Sequence, residues 1–142
     1  MNVQVLLVDD EKDFTDTLGE RLLARGFEVR TASSGDEGLA LLKEKAPDVV
    51  VLDVLMPGKD GVEVLREIKT VNPIVEVIML TGHGTIETAI EGLKLGAYDY
   101  LLKPTDTGEL VAKILRAYAR KSEQEDRIRR AEIANIVAKR GW

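Results

Sequence analysis

Four consecutive apolar residues, Val49-Val50-Val51-Leu52, run directly into a carboxylate, Asp53. Three of the four are β-branched, the run is short, and no polar residue alternates with them. Such a stretch predicts a strand buried on both faces, the kind found in a parallel sheet with helices on either side. Asp53 falls where that strand ends, and Met56-Pro57-Gly58 turns the chain away. Val3-Gln4-Val5-Leu6-Leu7-Val8 repeats the pattern and ends in Asp9-Asp10. Two buried strands that deliver carboxylates at their C-terminal edge predict one acidic pocket.

The rest of the chain supplies the remaining layers. A helix is expected over residues 12–24, with Phe14, Leu18, Leu22 and Leu23 on its apolar face and Gly26 as its stop. A more polar strand over 27–31 suits a sheet edge. Ser34 opens a second helix that closes before Pro47, and Asp60 caps a third that Asn72-Pro73 ends. A fourth strand is expected over 74–80, ending in Thr81. A helix follows over about 85–95, with Ile86, Ala89, Ile90 and Leu93 apolar. Residues 98–102 make a fifth strand ending in Lys103-Pro104, and Thr105 or Asp106 caps the last helix. Strands alternating with helices predict an α/β parallel sheet with right-handed crossovers.

Composition narrows the chemistry. The chain has 142 residues, no cysteine and one histidine, which excludes disulfides, thiolate metal sites and a multi-histidine zinc site within one chain. No apolar run approaches the ~18 residues that would span a membrane, and the N-terminus enters a strand at once. The expectation is a cytoplasmic protein without membrane contact. Residues 121–142 hold six Lys/Arg against four Asp/Glu, leaving +2 there and −7 over residues 1–120. An acidic body argues against direct nucleic acid binding.

In a five-stranded doubly wound sheet of order 2-1-3-4-5, strands one and three meet at the topological switch point, outside whose carboxyl edge ligands bind. In a sheet of that order Asp9, Asp10 and Asp53 would converge there. Clustered carboxylates call for a cation, and hard oxygen donors suit magnesium, which keeps waters and accepts a phosphate oxygen. Lys103 brings a point charge and Thr81 a hydroxyl. An aspartate can itself be the nucleophile in phosphoryl transfer. Taken singly, each residue is ordinary: a turn aspartate, a helix cap, a surface lysine. Together, at four strand ends, they are a site.

Leu7-Val8-Asp9-Asp10-Glu11, the run Asp53-Val54-Leu55-Met56-Pro57-Gly58 with Asp60-Gly61, then Thr81-Gly82 and Lys103-Pro104, resemble the receiver domain of bacterial two-component response regulators. The resemblance covers about residues 3–120. It implies the flavodoxin-like order 2-1-3-4-5, with five helices. It implies that Asp53 takes a phosphoryl group from a sensor histidine kinase. It further implies that Asp9, Asp10 and Asp53 hold Mg2+ with the backbone carbonyl of Leu55, and that Thr81 and Lys103 bind the phosphoryl oxygens. Tyr100 matches the aromatic that changes rotamer as Thr81 moves, so the output face becomes the fourth helix, fifth strand and fifth helix. The Lys103-Pro104 bond is implied to be cis. Leu55 and His83, each two residues beyond a site residue, match positions that influence phosphoryl-group lifetime; His83 itself reads as a loop histidine between glycines.

Two other readings compete. A magnesium-dependent aspartyl-phosphate phosphohydrolase would want a carboxylate two residues beyond its nucleophile, where this chain has Leu55. A constitutive interaction module would not need the full acidic, hydroxyl and lysine set. Thr81-Gly82-His83-Gly84-Thr85 through Leu101-Leu102-Lys103-Pro104 is similar to receivers of nitrogen-regulation-type activators. A stand-alone regulator and a receiver cut from a larger DNA-binding regulator both stay open. So do the downstream partner and a homodimer. Residues 1–120 are expected to form the receiver and 121–142 a C-terminal helical extension, whose apolar positions make no clean stripe and so favour a solvated helix over a partner-binding one. Trp142 emission is then expected to ignore Mg2+ and phosphate.

Overall fold

The computed structural model describes residues 2–82 and 86–141. His83, and Trp142 with its expected silent emission, lie outside the described residues. The elements are β1 (Gln4–Val8), α1 (Lys12–Ala24), β2 (Glu28–Ala32), α2 (Gly35–Glu44), β3 (Val49–Asp53), α3 (Gly61–Val71), β4 (Glu76–Thr81), α4 (Ile86–Lys94), β5 (Asp99–Leu102) and α5 (Thr107–Lys139). The strands form one parallel sheet, as the alternation of strands and helices predicts, and its order β2-β1-β3-β4-β5 is the one that the receiver resemblance implies.

Period-two alternation splits the sheet's side chains between two apolar layers. Leu6, Val8, Val50, Leu52, Val77 and Met79 face one way, against Leu39, Leu42, Leu65 and Ile68 of α2 and α3. Val5, Leu7, Val49, Val51, Ile78 and Leu80 face the other, against Leu18 and Leu22 of α1 and Leu110, Ile114 and Ala117 of α5. β3 and β4 are buried along their whole length, whereas β2 and β5, at the edges, are partly exposed.

The helix starts follow the capping rule. Ser34, Asp60 and Asp106 accept hydrogen bonds from the backbone N–H groups of Glu37, Glu63 and Glu109. Asp106, not Thr105, is therefore the cap of α5. β4 begins at Glu76 rather than residue 74, because Val75 N–H turns back to the Asn72 carbonyl. Leu23, expected on the buried face of α1, is instead exposed, since the helix packs through Leu18 and Leu22.

α4 departs further from its expected apolar face. Only Ala89 and Gly92 are buried, while Ile86, Ile90 and Leu93 remain 47%, 46% and 37% exposed. The helix lies so close to β4 that a Cβ on Gly92 would fall 2.1 Å from Met79 Sδ. Small residues make that approach and push the large apolar ones to the flanks. Gly61 makes a similar approach beside Asp53: a Cβ there would meet Val54 Cα at 2.7 Å and the Asp53 carbonyl at 2.8 Å. Backbone cannot rotate away as a side chain can. Gly61→Ala is expected to destabilise the protein by about 1–3 kcal/mol and to displace the Asp53 loop. Denaturant titration together with a Gly61→Ser control checks this; wild-type stability in both would mean the loop yields freely.

α5 runs unbroken to Lys139. Where it leaves the body, Arg120 pairs with the buried Glu76 and stacks its guanidinium on Tyr98. Lys121 pairs with Asp48 at 2.7 Å, and Asp48 also accepts from Gln4 N–H. Beyond this clamp the helix is mostly exposed. Among the described residues no helix is long and apolar enough to cross a membrane.

Candidate functional site

β1 and β3 are neighbours with Val8 opposite Leu52, so the residues at their C-terminal ends emerge side by side. Asp9 is held by its own N–H, which donates to the Ala32 carbonyl and extends the pairing toward β2. Asp53 is the last residue of β3, and Val54 N–H donates to the Leu80 carbonyl just beyond it. Carboxylate oxygens of Asp9, Asp10 and Asp53 all lie within 4.8 Å of one another. Asp9 and Asp53 are buried, and Asp10 stands open to solvent. An all-oxygen set of this charge fits a hard divalent cation.

Lys103 enters from the end of β5, where its N–H donates to the Thr81 carbonyl at 2.7 Å. Its ammonium donates to Asp9 Oδ2 at 2.7 Å and Glu11 Oε1 at 3.3 Å, and stands 3.6 Å from Asp53 Oδ2. Among the described residues it is the one base ion-paired to Asp9 or Asp53. Burial works against the ammonium, but the Asp9 hydrogen bond and the Asp53 and Asp9 charges outweigh it and raise its pKa above 10.5. Asp53 is pushed up from 3.8 to about 6. Burial is the main cause and the Asp9 charge the next; Lys103 and the Leu55 N–H oppose them. The Asp53 carboxylate is thus disfavoured without a cation and only partly relieved by Lys103.

The other expected residues surround this core. Leu55 N–H donates to Asp53 Oδ1 at 3.3 Å, while the residue is 60% exposed. Thr81 is fully buried, with Oγ1 donating to the Leu101 carbonyl at 3.4 Å. Tyr100 is opposite Met79, so it shares the α4 side of the sheet with Thr81. It packs half-buried against that apolar layer. The Lys103-Pro104 bond is cis. Asp9, Asp10, Asp53 and Lys103 come together directly; Thr81 joins them through backbone.

Two further residues stand around Lys103. Glu11, the N-cap of α1, donates its N–H to Asp9 Oδ1 and turns its carboxylate to the ammonium. Phe14 sets its ring 4.4 Å from Nζ. A third acid after Asp9-Asp10 was the available signal for Glu11. Phe14 read as ordinary helix packing.

Comparisons with known proteins show the family. Residues 5–115 match the family described as the response regulator receiver domain. The chain is 40% identical over 118 residues to the transcriptional regulatory protein ZraR of Escherichia coli O157:H7, covering 83% of this chain and 27% of ZraR. Among solved structures, a response regulator receiver domain protein from Clostridium thermocellum superposes with a TM-score of 0.83 at 40% identity, covering 86% of this chain and 98% of that one. NtrX from Brucella abortus, solved in complex with ADP, gives 0.84 at 38%, covering 89% of this chain and 29% of NtrX. The chain therefore spans little more than a quarter of the longer regulators it matches.

Proposed function

The chain belongs to the response regulator receiver family, whose role is to accept a phosphoryl group, and from that premise we propose that Asp53 is the acceptor. The donor is the phosphohistidine of a sensor histidine kinase. A carboxylate oxygen of Asp53 attacks phosphorus, the P–N bond breaks, and the electron pair leaves with the imidazole nitrogen, which takes up a proton. The observation that carries this reading is the meeting of a buried, strained Asp53 with Asp9, Asp10 and Lys103 at the switch point of the sheet.

Asp9, Asp10, Asp53 and the Leu55 carbonyl would hold Mg2+, which supplies charge neutralisation to the phosphoryl group when bound. Lys103 takes a phosphoryl oxygen by exchanging away from Asp9, and Thr81 donates its hydroxyl by exchanging away from the Leu101 carbonyl. That movement makes Thr81 and Tyr100 the switch. The face it alters comprises α4, β5 and the start of α5, where Ile86, Ile90 and Leu102 are already exposed, and a downstream protein reads it as a population shift. Leu55 offers hydrocarbon where a phosphohydrolase would place an acid or base, which favours a switch over a turnover enzyme. Residues 1–120 act as the receiver and 121–142 as its helical extension, with the acidic body not binding nucleic acid itself. The same site serves a stand-alone cytoplasmic regulator or the receiver of a longer transcriptional regulator.

The test is incubation with Mg2+ and acetyl phosphate, from which acetate leaves as the P–O bond breaks. One base-labile adduct mapping to Asp53 is expected; no adduct, or an adduct elsewhere, overturns the assignment. Lys103→Ala is expected to bind Mg2+ as well as or better than wild type, since a competing cation has gone, yet to lose about ten-fold or more in labelling rate. Calorimetry and the labelling time course read the two effects separately, and an unchanged rate would remove Lys103 from the site.

A further inference from the structure

Lys103 is only 17% exposed, and its surroundings are not all ionic. Asp9, Glu11 and Asp53 take three sides of the ammonium. Another side faces the ring of Phe14, with the centroid 4.4 Å from Nζ. Phe14 lies in the first turn of α1 and packs half-buried against the apolar layer containing Leu7, Leu18 and Leu80. The ring is thus braced from behind and presents itself to the lysine.

We propose that Phe14 is a positioning residue for phosphoryl transfer, whose ring keeps the Lys103 ammonium over the carboxylates while leaving it free to turn from Asp9 to the phosphoryl oxygens. The inference rests on Asp53 being the acceptor. Lys103 must change acceptors as the phosphoryl group arrives, and a hydrogen bond to a carboxylate holds one direction only. Attraction to the negative face of a ring depends on where the charge lies, not on which N–H points where, so it persists through the exchange. The ring also keeps water off that side, which strengthens the ammonium's pull on whatever anion it faces. A methionine or leucine would fill the same space with no negative face.

The experiment compares labelling by acetyl phosphate, at saturating Mg2+, for wild type, Phe14→Tyr, Phe14→Met and Phe14→Leu. Phe14→Tyr is expected within about two-fold of wild type, and Phe14→Met and Phe14→Leu slower by about three- to thirty-fold, the span between an exposed and a desolvated cation–π contact. Mg2+ affinity by calorimetry should stay level across the series. Wild-type rates in the Met and Leu variants, or a Tyr variant as slow as Leu, would overturn the role. So would a fall in Mg2+ affinity that parallels the rate, because the ring would then act through the acidic cluster. If Phe14→Leu folds poorly, Phe14→Met, flexible and similar in size, carries the comparison. A wild type that takes no phosphoryl group removes the acceptor reading and this one with it. A labelled wild type matched by its variants removes only the role of Phe14.

Discussion

Asp53→Asn is expected to abolish the phosphoryl adduct and, in the absence of divalent cation, to make the protein more stable at neutral pH. The first effect follows from losing the nucleophilic carboxylate. The second follows from the strain on it. Asp53 has a pKa of about 6 in the folded protein against an ordinary 3.8, so folding takes up a proton between these values. Below about pH 4 the carboxyl is neutral in both states and contributes nothing. As pH rises through 4 to 6, the folded protein is progressively penalised for burying a charge beside Asp9, and the full penalty stands above pH 6. Asparagine has the same shape and no charge. The stability difference between variant and wild type should therefore grow from near zero at pH 4 to on the order of 2–3 kcal/mol at pH 7. Denaturant titrations in chelator at several pH values read it directly. A difference that stays flat with pH would mean that Asp53 is not strained, whatever its chemistry.

Arg120→Ala is expected to cost about 2–4 kcal/mol, more than Glu76→Gln. The asymmetry comes from burial. The Glu76 side chain is 2% exposed and the Arg120 side chain 50% exposed. Removing the arginine leaves a buried carboxylate whose remaining base, Lys69, sits at 3.4 Å and also donates to the carbonyls of Pro73 and Val75. Removing the acid instead returns Arg120 to water and leaves a neutral amide beside Lys69. Thermal or denaturant unfolding of both variants ranks them, and hydrogen exchange along α5 adds a local readout, with protection lost first beyond Arg120. A costlier Glu76→Gln would show that packing around the side chain, not its charge, holds that corner.

The site was legible in sequence where strand ends carried it. Asp9, Asp10, Asp53 and Thr81 stand at the ends of buried apolar runs and Lys103 follows the partly exposed edge strand β5, and the order of the sheet brings such ends together whatever the side chains between them. The unbroken apolar runs of β1, β3 and β4 called for cover on both faces, and the two apolar layers supply it. What escaped was set by contacts between elements remote in sequence. Glu76 interrupts the apolar run Val75–Leu80, and no local pattern reveals that Arg120 would reach it. Phe14 fits a helix face as well as any core residue, and its contact with Lys103 joins the first helix to the end of the fifth strand. The exposed flank of α4 was hidden because periodicity reports which residues share a face but not how near the next layer lies. Gly92, which sets that distance, looks like a weak point in the helix until Met79 is seen beneath it.

The length of α5 turns the Arg120 and Lys121 ion pairs into a fulcrum. Eighteen residues continue past Lys121 to Lys139, and at 1.5 Å per residue they make an arm of roughly 27 Å. A tilt of about 10° at the fulcrum would swing the far end by roughly 5 Å. That displacement is comparable to a full helical turn, although nothing near the pivot need move by more than a fraction of it. Because α5 also packs Leu110 and Ile114 against Leu80 and Leu101, small repacking at the ends of β4 and β5 is delivered to the short side of a lever. Its long side is where such a change would be largest.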